Sequence, residues 1–292
     1  MKNERINDFI SSFDRIQYNL TDRIIKPLQW VSNKILALVR ELKFFQYCLK
    51  FGQRNDDVYI CTFAKSGTTV MQMMLYQMTT TGEMNFDHIY EVSPWIRNDA
   101  FRGKPPLNFP SPRIIKSHDP YNLFEKDTKG RFIHVMRDGK DVAASLYHQT
   151  KNYINPEAKF NETFRRSFVR RGEMNWFQYN KKWLENKRKF NILYIRYEDL
   201  LQNKLEVIKK IAEFLRIDLT NDIINRTLER SSFEFMKQHE DKFGEQPIER
   251  VYDQFIRKGK AGEGEELLDT NQKKFFQEQF DKHLSVLLKV QK

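Results

Sequence analysis

Two short segments of this chain carry the residue types that hold anions. The first, Phe63-Ala64-Lys65-Ser66-Gly67-Thr68-Thr69, follows a β-rich run and opens a helical period. Small residues at such a junction leave backbone N–H groups exposed at a helix N-terminus, where phosphate-like groups bind. Lys65 adds a point charge, and Ser66, Thr68 and Thr69 add hydroxyl donors. A plain strand-to-helix turn capped by threonine is the structural alternative. The triphosphate loop G-x-x-x-x-G-K-[ST] does not fit, because Lys65 precedes Gly67 and no glycine stands at the required earlier place. A lysine on the near side of the loop suits an anion approached without a bound metal. The second segment, Arg131 to Ser145, repeats the layout: a strand, Arg137 at its end, a tight turn at Gly139, then a helix. Arg137 can grip a phosphate bidentately and Ser145 lies two helical turns on; alternatively Arg137 pairs with Asp138 or Asp141. Two separated turns of this kind point to a ligand with two separated anionic groups.

The elements that must position these residues are legible in the patterning. Val58 to Phe63 reads as a buried strand, and Thr68 to Thr80 as a helix with Val70, Met71, Met74, Leu75 and Met78 on one face. Arg113–Lys116, Arg131–Met136 and Asn191–Tyr197 read as further strands. A helix begins near Lys140, and another carries Leu205, Ile208, Ile211, Ala212 and Leu215 at helical spacing. Strands alternating with helices predict an α/β fold, a mostly parallel sheet covered on both faces. Ligands of such sheets bind beyond the carboxyl ends of the strands, where both anion-type turns fall.

Composition bounds the rest. The chain has 292 residues, 40% of them hydrophobic and 14% aromatic, enough for a large core and an apolar pocket. A net charge of +11 favours anionic partners without choosing among nucleotide, nucleic acid and membrane. Two cysteines, Cys48 and Cys61, are too few for a disulfide framework and lack metal-site spacing, which fits a reducing, cytoplasmic setting. The first ten residues show no signal-peptide pattern, and no stretch reaches the ~20 apolar residues of a membrane span.

Taken in order, Lys65-Ser-Gly-Thr-Thr, Lys116-Ser117-His118, Arg137 with Ser145, Arg196-Tyr197-Glu198-Asp199, Ser232-Phe233-Glu-Phe-Met236 and Arg257-Lys258-Gly259-x-x-Gly262 resemble the blocks of the cytosolic-type sulfotransferases. The resemblance runs from Val58 to Gly262. It implies a three-layer α/β sandwich like that of P-loop NTPases, with 3′-phosphoadenosine 5′-phosphosulfate (PAPS) as donor, the bisphosphate PAP as product and no metal. By the same likeness Lys65, Ser66, Gly67, Thr68 and Thr69 hold the 5′-phosphosulfate, with Val70 beside them. Arg137, Ser145, Arg257, Lys258 and Gly259 hold the 3′-phosphate, and Tyr197, Ser231, Phe233 and Met236 line the adenosine. His118 is implied as catalytic base, with Lys116 and Lys65 at the reacting centre. A histidine of ordinary pKa near 6.5 offers a neutral imidazole at pH 7. His88, His134, His148, His239 and His283 lack such a context, and His134, inside a strand, is expected in the core. Glu198-Asp199 reads as a helix-leading acidic turn.

Departures from the family pattern point to a bacterial or otherwise divergent member. Val70 stands where many relatives have an adenine-stacking tryptophan, leaving that stacking to Phe233; Ala64 replaces a usual proline; Asp138-Gly139 replaces Asn-Pro; and Glu263-Gly264-Glu265 replaces Asp-Trp-Lys. The dimer segment of vertebrate members is not recognisable, so oligomeric state is left open. The acceptor implied is a hydroxylated small molecule, lipophilic if Trp95, Phe101, Phe109, Tyr147, Tyr153 and Phe160 wall a pocket. Arg165, Arg166, Arg170 and Arg171 would instead favour a charged lipid head group or carbohydrate; nucleic acid is not expected. Residues 1–51 lie outside the resemblance as an amphipathic helical extension to a 52–292 sulfotransferase domain. In the extension Leu28, Val31, Ile35, Leu38, Leu42, Phe45 and Leu49 recur at alternating intervals of three and four. Such a helix docks on the core or a partner helix, or rests with its lysines on an anionic membrane.

Overall fold

The computed structural model describes residues 21–124, 126–170, 174–244 and 255–290. Residues 1–20 of the predicted extension, and Arg171, lie outside that set. The described residues fall into two compact units, one within Met1–Gly52 and Ile96–Leu107, the other within Gln53–Trp95 and Asn108–Lys292.

The first unit is built on helix α1 (Lys26–Phe51), which starts with Pro27 in its first turn and stops at Gly52, φ 63°, whose N–H bonds back to the Cys48 carbonyl. Nothing between Leu28 and Phe51 is a glycine or proline, so 26 residues run unbroken. A short helix, Ile96–Phe101, belongs to this unit. Its Arg97 pairs with Glu41 at 2.9 Å and lies over the Phe44 ring at 3.9 Å. Among the described residues no helix is long and apolar enough to cross a membrane.

The second unit centres on four parallel strands, β1 (Val58–Thr62), β2 (Ile114–Ser117), β3 (Arg131–Met136) and β4 (Ile192–Arg196), in the order β2-β1-β3-β4. The expected strands are all present, each within a residue or two of its predicted limits. Alternation divides their side chains between two helical layers. Ile60, Ile133, Val135 and Ile195 face helices α2 (Thr68–Thr79) and Lys204–Leu215, meeting Met71, Met74, Leu75, Ile208 and Ile211. On the other side Phe132 and His134 stack toward Trp183 of the helix Trp176–Glu185. The result is the three-layer arrangement.

Two features fix the sheet's frame. At the amino ends of β1 and β2, Arg113 grips Asp57 bidentately, with both bonds 2.7 Å, and the two side chains are 2% and 0% exposed. Helix α3 (Gly139–Gln149) leaves β3 through Asp138, whose carboxylate caps it by accepting from the Lys140 and Asp141 N–H groups. Gly139 is therefore the first helical residue rather than a turn of its own. It is small because the Phe276 and Trp176 rings press on it: a Cβ there would lie 2.6 Å from Phe276.

Candidate functional site

The loop from β1 into α2 turns through two left-handed residues, Lys65 at φ 67° and Gly67 at φ 94°. The second must be glycine, since a Cβ would sit 2.5 Å from the Tyr197 ring, which covers it. Thr68 closes the turn by sharing a 2.6 Å hydrogen bond with Thr62, the last residue of β1. Ser66 is turned inward, 1% exposed, and its Oγ has no partner among the described residues. It alone of the predicted site residues does not line the adjoining cavity.

That cavity, about 280 Å³, opens at the carboxyl ends of β1, β2 and β3. Its walls bring together Lys65, Gly67, Thr68, Thr69 and Val70 from the first loop, Lys116 and His118 beyond β2, Arg137 and Ser145 from the second segment, and Tyr197 after β4. Ser231, Phe233, Met236, Arg257, Lys258 and Gly259 complete it from far along the chain. The sequence missed Lys204 and Lys260, which add two more cations. Their signal is absent from local pattern, because a lysine on a helix or loop reads as surface. Seven basic side chains thus face the cavity, and no carboxylate does among the described residues.

His118 is oriented from behind. Its Nδ1 lies 2.8 Å from the Thr62 carbonyl, which can only accept, so Nδ1 carries the proton and Nε2 keeps the free lone pair. Burial, then the adjacent Lys116 charge and the Lys65 charge, bring its pKa from 6.5 to about 3, against the opposing pull of the Thr62 carbonyl. Lys116 is 7% exposed, donates to the Tyr90 hydroxyl at 2.7 Å and lies 4.2 Å over the Trp95 ring. Trp95 also meets the His118 ring edge-on at 5.3 Å. Of the expected acceptor wall, Trp95 alone lines the cavity. Phe101 belongs to the first unit, Phe109 and Tyr153 stand elsewhere, and Tyr147 and Phe160 pack edge to face on each other. Arg165, Arg166 and Arg170 do not line it either; Arg166 donates to Thr150. His134 is a core residue as expected, bonded to the Cys61 carbonyl at 3.0 Å and stacked on Trp183, with burial lowering its pKa to about 4.

Arg137 does not pair closely with either neighbouring acid. Asp138 is occupied as a cap, and Asp141 is 3.9 Å away. The guanidinium lies over the Tyr197 ring at 4.6 Å and donates to the Lys65 carbonyl at 3.2 Å, joining the two anion-type segments, while its Nε is buried without a partner among the described residues. Asp141 has a different task, which the sequence did not reveal. Buried at 3% exposure, it accepts from the Gly262 and Gly264 N–H groups at 2.9 Å and so ties the Arg257–Gly259 loop to α3. The carboxylate of Glu263 holds both cations of that loop, 2.8 Å from Arg257 and 2.9 Å from Lys258, with His148 at 3.2 Å. The hydrogen bond from Arg257 is the main reason its pKa is held down to about 2. A buried orphan hydroxyl, a buried orphan guanidinium nitrogen and two glycines pressed under rings, Gly67 under Tyr197 and Gly259 under Phe233, fit a site built for a flat, doubly anionic ligand.

The comparisons with known proteins agree with this geometry. The family model for the sulfotransferase domain matches residues 55–287. A mouse protein, sulfotransferase 1 family member D1, is 32% identical over 254 residues, covering 80% of this chain and 85% of its own. A rabbit amine sulfotransferase is 30% identical over 260 residues, covering 84% and 86%. The fold is shared with mouse sulfotransferase SULT7A1 complexed with PAP, at TM-score 0.65 and 21% identity over 83% of this chain and 88% of that one. Retinol dehydratase in complex with androsterone and inactive cofactor PAP also matches, at TM-score 0.65 and 22% identity over 80% and 82%. With the domain model spanning most of its length and the blocks assembled around one cationic cavity, the chain belongs to the sulfotransferase family.

Proposed function

We propose that this sulfotransferase moves a sulfuryl group from PAPS to the hydroxyl of a small lipophilic acceptor, with His118 as the base. The observation that carries the reading is the wall of a cavity at parallel-strand ends: seven basic side chains and no described carboxylate, with one neutral imidazole among them. Arg137, Ser145, Arg257, Lys258 and Gly259 would hold the 3′-phosphate, and Lys65 to Thr69 the 5′-phosphosulfate. Tyr197, Ser231, Phe233 and Met236 would line the adenosine. Val70 is partly buried and lines the cavity without an aromatic face to offer, which leaves stacking to Phe233.

In the reaction the acceptor oxygen forms its bond to sulfur as the bond from sulfur to the 5′-phosphate oxygen breaks. The acceptor proton goes to Nε2 of His118. Lys65 is placed to balance charge growing on the departing phosphate, and Lys116 to balance the sulfuryl oxygens in transit. Tyr90 and Trp95 fix Lys116 and give the acceptor side an aromatic wall, which favours a phenol, steroid or other lipophilic alcohol over a carbohydrate.

The test is transfer of labelled sulfate from PAPS, screened over an acceptor library, with calorimetry of PAP binding alongside. His118→Ala is expected to lower kcat by about 10²- to 10⁴-fold while leaving PAP affinity in place, the usual contribution of a general base. Lys65→Ala should lower both. Sulfate transfer left intact in both variants would overturn the mechanism.

A further inference from the structure

Twelve of the nineteen large hydrophobic side chains exposed among the described residues lie between Ile24 and Leu49, on α1 and the turn leading into it. The seven residues of the three-and-four stripe are each 45–68% exposed. At 3.6 residues per turn the stripe, widened on one side by Val39, covers about a third of the helix circumference. The seven residues keep the two positions per heptad that also seat a two-stranded coiled coil, so charge rather than width decides the occupant. The opposite face is already taken within the unit, where Arg97 and Phe101 meet Phe44, Arg40 and Glu41.

Charge selects the occupant of the open face. Between residues 26 and 51 the helix carries Lys26, Lys34, Arg40, Lys43 and Lys50 against Glu41 alone, and Glu41 is paired with Arg97. Lys34 stands on one flank of the apolar arc, Lys43 and Lys50 on the other, with stems long enough to keep each ammonium at a polar boundary while the leucines go deeper. An apolar stripe edged by cations matches the interface of a bilayer with anionic head groups. We propose that α1 docks the enzyme on an anionic membrane surface, lying in the interface plane with its stripe toward the acyl chains.

Flotation of the full chain tests this, with vesicles of phosphatidylcholine alone and of phosphatidylcholine mixed with phosphatidylglycerol. Wild type should float with the anionic vesicles, less so as salt rises, and stay behind with the neutral ones. Lys34→Glu with Lys43→Glu should lower partitioning by roughly one to two orders of magnitude, since each basic residue near such a surface contributes about fivefold. Ile35→Asp with Leu42→Asp should abolish flotation, with helical content unchanged by circular dichroism. Equal flotation on both vesicle types, or partitioning unmoved by the lysine reversals, overturns the proposal. So does wild type that stays behind with the anionic vesicles: as a dimer that the Ile35→Asp, Leu42→Asp variant dissolves, it gives the face to a second copy, and as a monomer to the chain's own residues.

Discussion

At the scale of single residues, the cavity sets one neutral imidazole among seven basic side chains. His118 is neutral because burial, Lys116 and Lys65 all oppose its protonation, taking its pKa to about 3. Protonation would disable the proposed base only as pH falls toward that value. The kcat/KM profile for sulfate transfer should therefore stay flat from pH 8 down through 6.5, with no acid limb at the ordinary imidazole pKa. A limb centred near 6.5 would contradict the arrangement of Thr62, Lys116 and His118 described above. Glu263 supplies a second residue-level expectation. Its carboxylate occupies Arg257 and Lys258, the cations proposed for the 3′-phosphate, so it competes with that group. Glu263→Gln should tighten PAP binding severalfold in calorimetry, because the nucleotide no longer has to displace a charged partner.

Elements set how these residues meet. The loop bearing Arg257 and Lys258 reaches the cavity because α3 holds it through Asp141, and Gly264 lies so close to α3 that a Cβ would be 2.1 Å from the Lys140 carbonyl carbon. Asp141→Ala should weaken PAP binding at least tenfold while the far end of the sheet is untouched, and Gly264→Ala should do the same by pushing the loop off the helix. Conversely, Asp57→Ala removes the partner of buried Arg113 at the opposite end of the strands. It should cost about 3–5 kcal/mol in denaturant unfolding, with the affinity of the remaining folded protein for PAP little changed. The strands and the helices α2 and α3 were legible in the sequence because burial on both faces leaves uninterrupted apolar runs and helical periods. Local turns were legible too, as Lys65-Ser66-Gly67 shows. What sequence did not disclose are pairings made by folding: Asp141 lies 121 residues from Gly262, and Lys204 and Lys260 enter the cavity only because their elements are brought there. The acceptor wall failed for the same reason, since Tyr147 and Phe160 satisfy each other and leave Trp95 to face the site.

For the whole molecule, charge and burial act together. A net +11 and a cavity whose described walls hold cations only should make PAPS capture sensitive to ionic strength, so that KM for PAPS climbs steadily with added salt while kcat changes little. His118 and His134 both have folded-state pKa values below their ordinary 6.5, at about 3 and about 4. The unfolded chain therefore binds more protons than the folded one between pH 6.5 and about 4. Stability should fall across that window as acid is added, read as a declining Tm. Glu263 also bears on turnover. It is an anion that never leaves the chain, so its effective concentration at Arg257 and Lys258 is the same whether nucleotide is scarce or plentiful. If the 3′-phosphate binds there as proposed, each time it begins to lift away a tethered substitute would be at hand to take the cations, and the bisphosphate product would depart from a site never asked to bear bare positive charge.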